Sequence, residues 1–292
     1  MSRIQDILSK AERDGTTRRT RGLSDEALMS PPRTVGPRPQ QPEYEADPPP
    51  SWTPAAPMEP DASVTTSTLD PRLVAALAPQ SLAAEQYRAL RTRIKHAENG
   101  RAVRAIVVTS PNKGDGKSLT AANLALTMAQ EFQQRVLLID ADLRRPAIHN
   151  LFGVPAGPGL ADVLMGALEL SQALVKVEHH HMTLLPAGSV PHHPAELLGS
   201  AAMRRVLDSL RTRYDRILID MPPVAPLADL HIVAPMADGL LMIVRAGVTP
   251  RPAIERALSG LDMSKVLGLV LNESGGNVAD TAAYHDYGYV AG

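Results

Sequence analysis

The stretch that most restricts what this chain can fold into is Ala105–Ala129, AIVVTSPNKGDGKSLTAANLALTMA. An apolar β-rich run, Ala105–Val108, meets a loop of small, polar and glycine residues. Gly116, Lys117 and Ser118 then open an amphipathic helix that reaches to about residue 133. Strand, glycine-bearing loop and helix N-terminus in this order gather backbone N–H groups around one point, which suits a phosphate. In such a loop Lys117 reaches the β- and γ-phosphates of a nucleotide, and the Ser118 hydroxyl holds Mg²⁺. The pattern GxxxxGK(S/T) is met in part, since its first glycine position is Pro111. A strand-to-helix turn that binds nothing would share these features. Two further acidic segments decide against it.

A second strand, Arg135–Ile139, runs into Asp140, Ala141, Asp142, Leu143, Arg144 and Arg145. Ligands of open α/β sheets sit beyond the carboxyl ends of the strands, so Asp140 and Asp142 are predicted to face the phosphates. A capping Asp explains one carboxylate, but not a pair followed by two arginines. A third acidic strand, Arg216–Asp220, leads into Met221, Pro222 and Pro223. Asp220 then takes the Walker B position and holds Mg²⁺ directly or through water. The pattern also predicts a helix over 159–166, a strand at Met182–Leu185, and one long helix over Ala195–Tyr214. A helix near Leu227–Ala234, a strand at Gly239–Val244, a helix over Arg251–Leu261 and a strand at Val266–Leu271 follow. This alternation predicts an α/β fold of the P-loop NTPase type, a mostly parallel sheet with helices on both faces.

The rest of the chain divides around that domain. Residues 1–15 carry Ile4, Ile7, Leu8 and Ala11 at helical spacing and predict a short amphipathic helix. Residues 16–72 read as a disordered Pro-rich linker, with eleven of the 26 prolines between 31 and 60. Residues 73–274 form the predicted P-loop domain and 275–292 a flexible tail. Ser81–Ala97 predicts a helix that places Glu85, Arg88 and Arg91 along one drifting face. A net charge of −1 gives no reason to expect nucleic acid. No cysteine is present, which excludes thiolate metal sites and fits a reducing, intracellular setting. No apolar run approaches the roughly 20 residues of a membrane span. Five of the nine histidines, His179 to His181, His192 and His193, read as exposed loops and not a metal site, for they lack helical i, i+4 spacing. Three of the six tyrosines, Tyr284, Tyr287 and Tyr289, crowd the last stretch with no apolar period to bury them. Either that tail packs on a groove, or its hydroxyls are substrates.

These residues together resemble the bacterial tyrosine autokinases (BY-kinases) of capsule and exopolysaccharide assembly, from about Leu82 to the C-terminus. The resemblance lies in the GDGKS loop at 114–118 and in DxDxR at Asp140, Asp142 and Arg144. It extends to an aliphatic run with DxPP at 217–223 and to ExxRxxR at Glu85, Arg88 and Arg91. The segment LLPAGSVPHHPAELL and the terminal tyrosines also match, while Lys113 stands where the family often has Pro. The resemblance implies a ring-forming kinase that binds MgATP through Gly114, Asp115, Gly116, Lys117, Ser118 and Leu119. Ser118, Asp140 and Asp220 would serve the Mg²⁺, and Tyr284, Tyr287 and Tyr289 of neighbouring subunits would receive the phosphate. Glu85, Arg88 and Arg91 become candidate subunit contacts. The activator implied is the cytoplasmic segment of a membrane polysaccharide co-polymerase. The chain then looks like a soluble cytoplasmic form, held at the inner face of the plasma membrane through that partner. Asn272 resembles the adenine-contacting Asn of related ATPases.

A tyrosine hydroxyl has a pKa near ~10 and needs a base at neutral pH. Asp140 and Asp142 are the candidates, the other lying closer to Mg²⁺, and the sequence does not divide the two roles. Lys117, Mg²⁺ and Arg144 would stabilise the transferring charge. Two rival readings stand beside the kinase. One is a deviant P-loop positioning or partitioning ATPase, whose KGGxGK(S/T) signature needs a lysine where this chain has Asn112. The other is a nucleotide-binding scaffold without kinase activity.

Overall fold

The computed structural model describes residues 60–273, apart from 61, 66–67, 132–133 and 225–228. The expected helix at 1–15, most of the linker and the tyrosine tail lie outside the described residues. Eight strands form one sheet in the order β1-β4-β5-β3-β6-β2-β7-β8. In chain order they are β1 (Ala62–Val64), β2 (Ala105–Thr109), β3 (Val136–Asp140), β4 (Val175–Val177), β5 (Met182–Leu185), β6 (Arg216–Asp220), β7 (Gly239–Arg245) and β8 (Val266–Asn272). Every neighbouring pair is parallel except β4 with β5. The expected mostly parallel sheet is therefore observed.

The helices are α1 (Val74–Leu77), α2 (Leu82–Ala97), α3 (Lys117–Ala129), α4 (Ile148–Phe152), α5 (Leu160–Leu164), α6 (Leu170–Ala173), α7 (Pro194–Leu198), α8 (Ala201–Arg211), α9 (Asp229–Val233) and α10 (Arg251–Ser259). Side chains of a strand alternate between faces, and two cores result. Ala105, Val107, Leu137, Ile139, Ile217, Ile219, Leu240 and Met242 pack on one face with residues of α5 to α10. Ile106, Val108, Leu138, Leu218, Leu241 and Ile243 pack on the other with α1 to α4. Because both faces are covered, β2 and β3 are buried along their whole length, which is why they read as continuous aliphatic runs. α3 lies in the middle of its layer, and every residue from Thr120 to Ala129 is buried.

Three details depart from the sequence reading. The ordered fold begins before residue 73: β1 pairs with β4, and Leu69 is 7% exposed in the core. The single helix expected over 195–214 is two, α7 and α8. Gly199 closes the first, and Ser200 caps the second by accepting from the Met203 N–H at 3.2 Å. β4 and α4 were not foreseen, because elements of three and five residues carry too little periodicity. The capping of α2 follows the expected start, with Ser81 Oγ accepting from the Ala84 N–H at 3.2 Å.

Candidate active site

The loop between β2 and α3 follows the central part of the sheet, and β6 lies directly between β2 and β3. Asp140 and Asp220 are partners in the β3–β6 register, so the two expected acidic strand ends sit side by side next to the loop. The segment after β6 is tied to the loop: Thr109 Oγ1 donates to the Pro222 carbonyl at 2.8 Å, and the Val224 N–H donates to the Ser110 carbonyl at 2.9 Å.

Gly114 and Gly116 have φ of 88° and 93°, in the left-handed region that favours glycine. At Gly116 the space is also closed, since a Cβ there would meet Asn272 Nδ2 at 2.1 Å. Asn272 ends β8 and donates from Nδ2 to the Asp115 carbonyl at 3.0 Å. Its amide is thus engaged with the loop itself. Leu119 packs its half-buried side chain against the core beneath α3.

Lys117 stands at the first turn of α3 with its Nζ 2.9 Å from Asp142 Oδ2, 3.5 Å from Asp220 Oδ1 and 3.1 Å from Ser118 Oγ. Its side chain is 12% exposed. Burial is the largest influence on this ammonium and opposes its charge. The carboxylates of Asp220, Asp142 and Asp140 together outweigh it and raise the pKa. Asp220 is fully buried, and burial pushes its carboxyl up against the pull of Lys117 and the Ser118 hydroxyl.

Asp140 and Asp142, alike in sequence, differ in their partners. Asp140 Oδ2 accepts the Ala147 and Ile148 N–H groups, both at 3.0 Å, at the start of α4, and Oδ1 accepts the Asp142 N–H at 3.2 Å. Three backbone donors favour its ionised form, but burial and then Asp220 push the other way and win, raising Asp140 to about 7. Asp142 Oδ1 accepts the Arg145 N–H at 3.1 Å, and its Oδ2 faces Lys117.

Arg144 does not point freely at the phosphate site. Its Nε and a terminal nitrogen donate to the two oxygens of Asp229 at 2.7 and 3.0 Å. Asp229 opens α9 with a side chain only 1% exposed. No motif in the sequence flags Asp229; its partner is fixed by the tertiary fold. Glu85 and Arg88 on α2 pair with each other, and Arg88 also donates to the Pro79 carbonyl at 2.6 Å. Arg91 turns inward, donating to the Thr127 carbonyl at 2.6 Å beside Glu131. These three residues lie on one helix, but Arg91 is already committed within the chain.

Three acidic side chains surround one ammonium, and the Ser118 hydroxyl oxygen accepts from the same Lys117 Nζ at 3.1 Å. That donor set fits a divalent cation held between Ser118, Asp220 and nucleotide phosphates. Among the described residues, no three His, Asp or Glu side chains form a metal site by themselves. Mg²⁺ at phosphates needs only one or two carboxylates. No helix among the described residues is long and apolar enough to cross a membrane.

The family described as AAA domain matches residues 103–251. The tyrosine-protein kinase YwqD of Bacillus subtilis is 36% identical over 225 residues, 76% of this chain and 92% of that protein. CpsD of Streptococcus agalactiae, also a tyrosine-protein kinase, is 32% identical over 207 residues, 70% and 89% of the two chains. Among solved structures, the kinase domain of the Escherichia coli tyrosine kinase ETK superposes with a TM-score of 0.65 at 26% identity, covering 79% of this chain and 93% of that one. Likeness at this level over nearly the whole of a kinase shows that the chain belongs to the bacterial tyrosine-protein kinases.

Proposed function

We propose that this kinase uses ATP to phosphorylate Tyr284, Tyr287 and Tyr289 of neighbouring copies, and so regulates capsule or exopolysaccharide assembly. The observation that carries the reading is the Lys117–Asp142 contact at 2.9 Å. The lysine that a phosphate loop needs for ATP rests on a carboxylate that a tyrosine kinase needs as a base. Phosphates arriving at the loop N–H groups draw Lys117 away, and Asp142 is then free. The tyrosine oxygen attacks the γ-phosphorus, the bond to the β–γ bridging oxygen breaks, and ADP leaves. The phenolic proton passes to Asp142. Asp140 is assigned a bracing role, because its oxygens already serve three N–H groups. Ser118 and Asp220 would hold Mg²⁺, which neutralises charge on the phosphates.

Arg144 is proposed to steady the transferring charge from a position set by Asp229. Asp229→Asn is therefore expected to lower kcat about tenfold, nearly as much as Arg144→Ala, because a charged bidentate pair carries both energy and geometry. Steady-state kinetics of the two variants check this, with KM for ATP expected to hold.

Glu85, exposed on α2, and Arg88, half-buried beside it, are the candidate contacts of a homo-oligomeric ring, and a cytoplasmic segment of a membrane polysaccharide co-polymerase is the proposed activator. Transfer between copies is tested by mixing two forms: full-length Lys117→Met as acceptor and a wild-type chain ending before Ala282 as donor. Phosphotyrosine on the Lys117→Met chain is the expected result. An unmodified acceptor, beside a full-length wild type that does label itself, would mean transfer within one copy.

A further inference from the structure

The phosphate loop is held in shape by residues from the far end of the chain. Asp115 lies within the loop, yet its side chain is almost wholly buried. Its Oδ2 accepts the Asn112 N–H at 2.9 Å, and its Oδ1 accepts the Thr249 hydroxyl at 2.8 Å. Thr249 Oγ1 in turn accepts the Arg245 N–H at 3.0 Å. One hydroxyl thus donates into the loop and accepts from the end of β7. Asn272 supplies the second tie, to the Asp115 carbonyl, and its own carbonyl accepts the Ala246 N–H at 2.9 Å. The segment 245–249, between β7 and α10, therefore grips the loop through Thr249 directly and through Asn272.

We propose that Thr249 is a positioning residue for ATP, which fixes the phosphate loop through Asp115 so that the β7–α10 turn sets nucleotide affinity. The proposal rests on the reading of this loop as the ATP site. Its physical basis is the freedom of two glycines. Gly114 and Gly116 bracket Asp115 at positive φ, and glycine backbone left untied samples many shapes. A loop ordered only when ATP arrives charges that ordering against binding. The Asp115 bonds complete the ordering beforehand. A valine at 249 keeps the branched shape but leaves Asp115 Oδ1 without a donor and the Arg245 N–H without an acceptor.

The test is equilibrium binding of ATP to the full-length chain, with KM for ATP and kcat measured separately, for wild type, Thr249→Val and Thr249→Ser. Thr249→Val is expected to weaken ATP binding about tenfold, the scale of a lost bond to a charged group. It should leave kcat within about twofold at saturating ATP, the pattern of lost uniform binding, and Thr249→Ser should restore affinity. Asp115→Asn and the double variant Asp115→Asn/Thr249→Val give a second route if the valine variant folds poorly. The double variant should bind no more weakly than Asp115→Asn alone. Wild-type affinity in Thr249→Val, a serine variant as weak as valine, or additive losses in the double variant would overturn the proposal. A wild-type chain that binds no ATP would instead overturn the reading of the loop.

Discussion

Lys117→Met is expected to cut ATP-dependent tyrosine phosphorylation by at least about 10²–10³-fold, the loss typical when one preorganised donor to a developing charge is removed. The same substitution is expected to change the nucleotide-free protein. Lys117 Nζ is the cation nearest Asp142 and Asp220. Without it the buried Asp220 carboxyl holds its proton to higher pH, while that of the unfolded chain does not. The variant should therefore be less stable than wild type near pH ~8 and should approach it near pH ~5, where this carboxyl is more fully protonated in the fold. Thermal unfolding without nucleotide at the two pH values checks this. A variant that loses activity but unfolds like wild type at both would leave the resting ion pairs without energetic weight.

The second large effect separates two aspartates. Asp142→Asn is expected to lower kcat by about 10²–10⁴-fold, the range for a lost general base, with a stability loss limited to its ion pair with Lys117. Asp140→Asn is expected to act mainly on the fold, at about 1–3 kcal/mol for a backbone donor left without an acceptor. An Asn side chain has one oxygen for the Ala147 and Ile148 N–H groups, and its NH₂ opposes the Asp142 N–H. The two variants also differ in pH behaviour. Burial and Asp220 raise Asp140 to about 7 from its usual 3.8. Between those values the fold keeps a proton that the unfolded chain has released, so wild-type stability without nucleotide falls as pH rises through that window. Asp140→Asn should flatten this fall. A large kcat loss in Asp140→Asn with an unchanged unfolding profile would reverse the two roles.

The loop, the two acidic strand ends and the alternation of strand and helix are legible because each is a local pattern. Val136–Ile139 is apolar since both faces of β3 are covered, and the run stops at Asp140, the carboxyl end of the strand. What stayed hidden depends on contacts across the chain. Asp229 and Thr249 sit in segments with no motif, and only the fold brings them to Arg144 and Asp115. Asp140 and Asp142 look equivalent by spacing, yet the turn into α4 gives one of them three N–H partners. The Asp115 carboxylate bonds the Asn112 N–H and the Thr249 hydroxyl, and the Asn272 amide bonds the loop backbone, ties that no local spacing reveals. The strand Ala62–Val64 lies within the stretch expected as linker, and at three residues it is shorter than any period can reveal.

The most direct measurement is phosphosite mapping with intact mass of the full-length chain after incubation with MgATP, beside Lys117→Met treated alike. Phosphate on Tyr284, Tyr287 or Tyr289 in the wild type and none in the variant is the expected result. Steady ATP turnover with no phosphotyrosine, even with the cytoplasmic segment of a membrane activator added, would contradict it and favour a positioning ATPase.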